Sequence, residues 1–322
     1  IALTGFIILN FYKTAGALLF SYITSVAILS IIALYLIKDL IKGVFKNFNK
    51  EIFKQIFQDC WPLALTGLFG IFMLNIDIVM LGWWRTPEEI GYYSASQRIV
   101  QMLYTLPAIL ASAVFPTLSR FIKQNKSDQT RLLNEKSMAI LYLIAIPLAI
   151  GGFILSSSII KFVFGEEYLS AAISFQILII ALLINFPGAI LSNLIMAHNQ
   201  QRKLVKYVIA GSLSNIVFNI LLIPSFGING SAIATLISQF AYFTPIWLKM
   251  KQIENFYTLR HLKKIIVGAI IMGIFNIIFN KFGLNVLLNI AVSAGIYLTT
   301  LYLLKEKNLE EITFLFKKVK PS

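Results

Sequence analysis

The run WPLALTGLFGIFMLNIDIVMLGWWRTPEEIGYYSASQRIVQMLYTLPAILASAVFPTLSRF, residues 61–121, decides the fold. It reads as two apolar helices, 61–82 and 94–118, joined by a short polar turn, each long enough to span the hydrocarbon of a bilayer. Inside the apolar part sit one acid, Asp77, and one base, Arg98. A charge at membrane depth costs roughly 3 kcal/mol on insertion scales, so each is a candidate functional residue. Counted from the expected helix ends, the two lie at about the same depth below the outer surface. Three readings stand. The pair locks the hairpin as an ion pair; Arg98 snorkels to the outer head groups; or Arg98 is released to bind a phosphate or polar sugar, whose oxygens its planar fork matches. With Asn75 and Gln97 beside them, Asp77 and Arg98 form a candidate substrate-binding or gating group.

Composition agrees with a membrane fold. Hydrophobic residues make up 58% of the 322, charged residues 13%, and mean hydropathy is +0.79. Soluble domains carry about 25% charged residues. A single cysteine, Cys60, excludes an internal disulfide. His198 and His261 fall in basic loops with no expected ligand partners, so no metal site is expected. The chain opens on Ile1 inside an apolar run, without a basic region or small-residue cleavage site, and reads as a protein whose beginning is missing rather than as a signal peptide.

Working outward, apolar segments cover 14–37, 61–82, 94–118, 137–160, 170–196, 204–223, 229–248, 265–280 and 284–304, with a partial one at 1–11. Of the 28 Lys and Arg, 23 fall in one alternating set of loops: 38–54, 120–136, 202–206, 249–264 and 305–320. The opposite set holds Lys13, Arg85, Lys161 and Lys281. Such a split across nine consecutive crossings places the basic loops and the C-terminus in the cytoplasm. The net charge of +14 is then a topology signal facing anionic lipid, and no nucleic-acid partner is expected. Trp83, Trp84, Tyr92 and Tyr93 are read as the outer aromatic belt, Trp61 and Trp247 as the inner one.

Segment 38–60 differs from the other loops. Ile41, Val44, Phe45, Phe48, Ile52, Phe53, Ile56 and Phe57 recur at helical spacing, and Lys38, Lys42, Lys46, Lys50 and Lys54 every four residues on another face. This is an amphipathic helix in the cytoplasmic leaflet, either a connector between two bundles or an ordinary surface helix. An internal echo favours the connector: GALLFSYITS at 16–25 resembles GSAIATLISQ at 230–239, six helices later. The expected organisation is 1–37 as the remnant of a first lobe and 38–60 as connector. Residues 61–250 then form a second six-helix lobe, 251–304 two further helices, and 305–322 a basic tail.

Polar stripes mark two later helices: Ser212, Asn215 and Asn219 on one, and Ser231, Thr235, Ser238 and Tyr242 with Gln239 on the next. Interhelical packing through small and hydroxyl residues accounts for them, and a water-facing cavity wall is the alternative. Asn185, Pro187, Gly188 and Asn193 interrupt 170–196, and Pro107 and Pro147 are expected to kink their helices. No phosphate-binding glycine loop and no nucleophilic triad appears.

The windows DIVMLGWWRTPEEIGYYSASQRIVQMLYTLPAILASAVFPTLSRF (77–121) and NIVFNILLIPSFGINGSAIATLISQF (215–240) resemble Wzx-type oligosaccharide flippases. These belong to the polysaccharide transporter branch of the multidrug/oligosaccharidyl-lipid/polysaccharide exporter superfamily. The residues that carry the resemblance are Asp77, Gly91, Tyr92, Phe115, Pro116, Asn215, Asn219, Pro224, Gly227 and Gly230. The resemblance implies an all-α, MATE-like two-lobe bundle, with about ten of fourteen helices in this chain, in a bacterial cytoplasmic membrane. It implies export of an undecaprenyl-pyrophosphate-linked oligosaccharide, with a polysaccharide polymerase and a chain-length regulator as conceivable partners. No cofactor is expected; coupling to an H+ or Na+ gradient is left open. A cation-coupled multidrug exporter of the same superfamily is the first alternative. An integral-membrane polysaccharide polymerase is the second, against which the short outer loops argue.

Overall fold

At membrane depth a backbone can satisfy its polar groups only internally, so long apolar runs become helices. The computed structural model describes residues 15–39, 49–258 and 262–306. Its α-helices are α1 (Ala15–Leu36), α2 (Lys50–Trp84), α3 (Pro87–Leu103), α4 (Thr105–Lys123), α5 (Ser127–Ile154), α6 (Ser156–Phe164), α7 (Ala172–Ile180), α8 (Leu182–Ala197), α9 (Gln201–Glu254), α10 (Leu262–Lys281) and α11 (Val286–Leu303). A single 3-10 stretch, Glu166–Ala171, precedes α7, and no strand occurs among the described residues. Among the described residues, seven helical stretches are long and apolar enough to cross a membrane, and the shorter Phe20–Leu36 adds α1. One of the seven, Gln201–Glu254, holds two expected crossings, so all nine full apolar segments are helical. The partial run 1–11 lies outside the described residues. The chain is an all-α, multi-pass membrane protein.

Residues 1–60 and 61–322 form two compact units. In the first, Ala17, Ser21 and Ser25 are buried along one face of α1, while Phe20, Ile23, Ile31 and Tyr35 are exposed. Part of the expected amphipathic connector, 40–48, lies outside the described residues; 50–60 begin helix α2, with Ile52, Phe53, Ile56 and Phe57 exposed.

In the second unit the core runs through Met80, Leu81, Tyr93, Phe175, Phe186, Ile223 and Ile246. A second cluster, Leu143, Ile146, Ile265, Ala269, Met272, Tyr297 and Leu301, seats α10 and α11 on α5. Two prolines lie beside breaks in the long helices. Pro107 offers no N–H to Leu103, and the helix expected over 94–118 parts at Tyr104 into α3 and α4. Pro187 does the same for Leu183, near the break at Ala181 between α7 and α8. Pro147 stays inside α5, and the Leu143 carbonyl it deprives of a donor accepts the Tyr297 hydroxyl of α11 at 2.8 Å.

Helix α9 folds back on itself at Gly227, whose φ of 57° and ψ of −135° lie outside helical space. The two halves then run so close that a Cβ at Gly230 would collide with the Leu222 carbonyl oxygen. These two glycines explain the G-x-x-G spacing read in the sequence: one turns the chain, the other lets the strands of helix meet.

Candidate functional site

Asp77 lies on α2, on the face that also buries Met73, Met80 and Leu81. It is fully buried and accepts three hydrogen bonds from three different helical segments. The Tyr93 hydroxyl of α3 donates to Oδ2 at 2.8 Å, and the Thr235 hydroxyl of the second half of α9 to the same oxygen at 2.7 Å. The Asn219 side-chain amide, from the first half of α9, donates to Oδ1 at 2.8 Å. Asn219 also donates to Asn215 Oδ1 at 2.9 Å and accepts from the Ser231 hydroxyl at 2.9 Å. Ser238 returns its hydroxyl to the Thr235 carbonyl at 2.7 Å and faces the Asn215 amide at 3.5 Å. Every side chain in this cluster is buried, and none of them is Lys, Arg or His.

The polar stripes of α9 therefore meet in one buried cluster held by hydrogen bonds between helical segments, which is the packing expected of them rather than a water-facing wall. Asn215, Asn219, Thr235 and Ser238 belong to this cluster, together with Ser231. Gln239 is buried with its Oε1 unpartnered and makes no bond to Asp77.

The hairpin of α2 and α3 corrects the expected ion pair. Arg98 is exposed and forms no ion pair or hydrogen bond among the described residues; Asp77 has none with any base. Two physical reasons separate them. Helix α3 begins at Pro87, with Thr86 and Glu89 making a capping box, well before the expected start at 94. Arg98 is thus about four residues, roughly 6 Å, deeper than Asp77. Tyr93, at Asp77's own depth, lies about 140° around α3 from Arg98. Asn75 also leaves the group: two residues from Asp77, it points to the opposite face of α2, is exposed and bonds the Ile71 carbonyl at 2.9 Å. Gln97 does bridge the hairpin, donating to the Leu74 carbonyl at 2.7 Å, and Gln101 joins it at 3.3 Å.

Other expectations also change. Tyr93, read as an interface aromatic, is fully buried at the centre of the cluster. Arg85, read as an outer-loop charge, donates to the Ile223 and Pro224 carbonyls at 2.6 and 2.8 Å, capping the first half of α9 where it turns. His198, read as a basic-loop residue without metal-ligand partners, makes a hydrogen bond to Glu254 at 2.8 Å, and His261 lies outside the described residues. Tyr93 was findable: it sits about as far from its helix start as Asp77 does from its helix end.

Chemically, a buried carboxyl ringed by hydroxyls and amides and lacking a basic partner is a place where charge balance falls to a proton or a small cation. Asp77, Asn215, Asn219, Ser231 and Thr235 supply oxygens of the kind hard cations take. No group of three or more His, Cys, Asp and Glu is gathered among the described residues, so the donor set does not suit a thiolate- or imidazole-bound transition metal.

Comparisons with known proteins agree with this architecture. The chain is 26% identical over 235 residues to "Probable low-salt glycan biosynthesis flippase Agl15" of Haloferax volcanii, covering 73% of this chain and 49% of that protein. It is 26% identical over 207 residues to "Capsular polysaccharide biosynthesis protein CapF" of Staphylococcus aureus, covering 64% and 52%. The chain thus spans about half the length of these relatives. Among solved structures, the inward closed conformation of the lipid II flippase MurJ superposes with a TM-score of 0.67 at 20% identity, over 84% of this chain and 59% of that one. An outward-facing multidrug resistance MATE family transporter of the MOP superfamily gives 0.54 at 15% identity, over 78% and 65%. Both show a MATE-like fold. Residues 2–173, more than half of the chain, match the family model described as "Polysaccharide biosynthesis protein", and the chain belongs to that family.

Proposed function

We propose that this chain works in a flippase that carries a lipid-linked oligosaccharide from the cytoplasmic to the outer leaflet for surface polysaccharide assembly. In this reading 61–250 is one lobe of a two-lobe carrier, the basic loops face the cytoplasm and the lipid carrier is undecaprenyl pyrophosphate. The observation that carries the reading is the division of labour between Asp77 and Arg98. Arg98 presents an unpaired guanidinium within an apolar span, suited to a pyrophosphate. Asp77, buried on the neighbouring helix, ties α2, α3 and both halves of α9 through one carboxyl. Loading that carboxyl with H+ or Na+ would change its hydrogen bonds to three helical segments at once, which gives a gradient a grip on helix packing. Family membership and the flippase relatives support transport of a polysaccharide precursor.

The test is Asp77→Asn, which keeps shape while removing the titratable charge. In cells whose surface polysaccharide depends on this protein, the variant is expected to reach the membrane but to stop responding to collapse of the H+ or Na+ gradient, with export reduced. Export at the wild-type rate and with the wild-type ionophore response sinks the coupling role. Loss of drug resistance with polysaccharide intact would point instead to a multidrug exporter.

A further inference from the structure

At the opposite, basic end of the second unit a cavity of about 360 Å3 is lined by Ile122, Asn125, Lys126, Ser127, Thr130, His198 and Glu254. Three helix ends meet there with opposite polarity. Helix α5 starts at Ser127, and its cap residue Lys126 gives no side-chain bond to the first-turn amides. Those N–H groups, the positive end of the helix dipole, the Ser127 hydroxyl and the exposed Lys126 ammonium make one wall suited to an anion. Asp128, beside them, is turned to solvent and pairs with Arg131 at 3.7 Å. The facing wall comes from two helix C-termini, α8 capped by His198 and α9 ending at Glu254. Glu254 is 92% buried by relative exposure, for it retains 8%. His198 Nε2 bonds its Oε1 at 2.8 Å, while its Oε2 is buried without a partner. A buried carboxylate oxygen with no donor, between helix C-termini, calls for an N–H cation.

We propose that this cavity binds the head group of a zwitterionic lipid bearing a primary ammonium, phosphatidylethanolamine or its ether-lipid equivalent. The ammonium reaches Glu254 Oε2, and the phosphate, two carbons away, meets Lys126, Ser127 and the α5 amides. Size favours a head group over a bare ion, since the volume equals about twelve waters at roughly 30 Å3 each. Position favours lipid over solute. Lys126 lines the cavity, Lys123 lies three residues before it in the sequence and Lys251 one turn before Glu254, on the strongly basic end where anionic head groups gather.

The experiment is native mass spectrometry of the detergent-purified protein with phosphatidylethanolamine, phosphatidylcholine and phosphatidylglycerol of matched chains, and with soluble phosphoethanolamine. Phosphatidylethanolamine should be retained roughly tenfold better than phosphatidylcholine, which keeps the phosphate but has no N–H donors, as expected for one charge-assisted hydrogen bond. Glu254→Gln should erase the preference. Ser127→Pro tests the other wall independently of any folding defect in that variant: proline is well accepted at the first helical position yet removes the amide and hydroxyl, so it should weaken retention with the melting temperature unchanged. Equal retention of the three lipids, an undiminished preference in Glu254→Gln, or undiminished retention in Ser127→Pro overturns the site. Binding of phosphoethanolamine without binding of the lipid overturns the lipid assignment. None of these readouts depends on transport, so they stand or fall apart from the flippase reading.

Discussion

Removing the Tyr93 hydroxyl isolates the strength of the Asp77 cluster. Tyr93→Phe deletes one oxygen, in a side chain with no exposed surface, and leaves its ring in the core. The main bond lost runs 2.8 Å to a carboxyl that is itself fully buried, and a longer contact of 3.2 Å to the Thr235 hydroxyl goes with it. Hydrogen bonds between membrane helices average about 0.6 kcal/mol and reach about 1.7. Bonds to charged groups contribute about 1.5–3 kcal/mol. A cost of about 1.5 kcal/mol follows, or a fall of roughly 3–6 °C in melting temperature for a unit of this size. In the Asp77→Asn background the acceptor is a neutral amide, charge assistance disappears and the same substitution should cost about half as much. Tyr92→Phe is the control: Tyr92 packs edge-to-face on Tyr168 at 5.6 Å, and its hydroxyl has no partner among the described residues. Reversible unfolding in mixed micelles, followed by tryptophan fluorescence, reads all five proteins: wild type, Tyr93→Phe, Tyr92→Phe, Asp77→Asn and the Asp77→Asn/Tyr93→Phe double variant. If Tyr93→Phe matches Tyr92→Phe, or costs the same in both Asp77 backgrounds within about 0.3 kcal/mol, the bond carries no charge-assisted energy and the cluster is ordinary packing.

Two further outcomes are expected. Arg98→Ala should abolish surface polysaccharide while leaving membrane level and melting temperature near wild type, because the side chain is exposed and unpaired; normal polysaccharide in that strain removes Arg98 from the substrate path. Tyr297→Phe should cost about 1 kcal/mol because the Leu143 carbonyl loses its donor, yet cost almost nothing in a Pro147→Ala background, where residue 147 regains an N–H for that carbonyl. Additive effects in the double-variant cycle would show that Tyr297 does not compensate for the proline.

What the sequence could and could not reveal follows from the solvent. Helix positions were legible because an apolar run of about 20 residues has one stable answer in hydrocarbon. The breaks at Tyr104 and Ala181 were legible in kind, since Pro107 and Pro187 each remove a backbone donor. Azimuth was not legible on α2. A soluble helix declares its buried face by polarity, but here lipid and core are both apolar, so Met73 and Met80 look like the exposed Ile71 and Val79. Depth alone then paired Asp77 with Arg98, and an error of two turns in the start of α3 made the pairing look exact. Helix α9 behaved otherwise. Its Asn and hydroxyl stripes cannot face lipid cheaply, so polarity fixed their azimuth, and both halves were bound to turn those faces to a common polar partner. Asp77 is the sole acid in residues 61–84, so it is the one carboxyl that α2 offers those stripes there. In a membrane fold the informative residues are the few polar ones, and they identify each other by depth and face together. Thr86 and Glu89 supplied the missing depth: a capping box before an apolar run fixes where that helix starts, and counting from Pro87 brings Tyr93, not Arg98, level with the carboxyl.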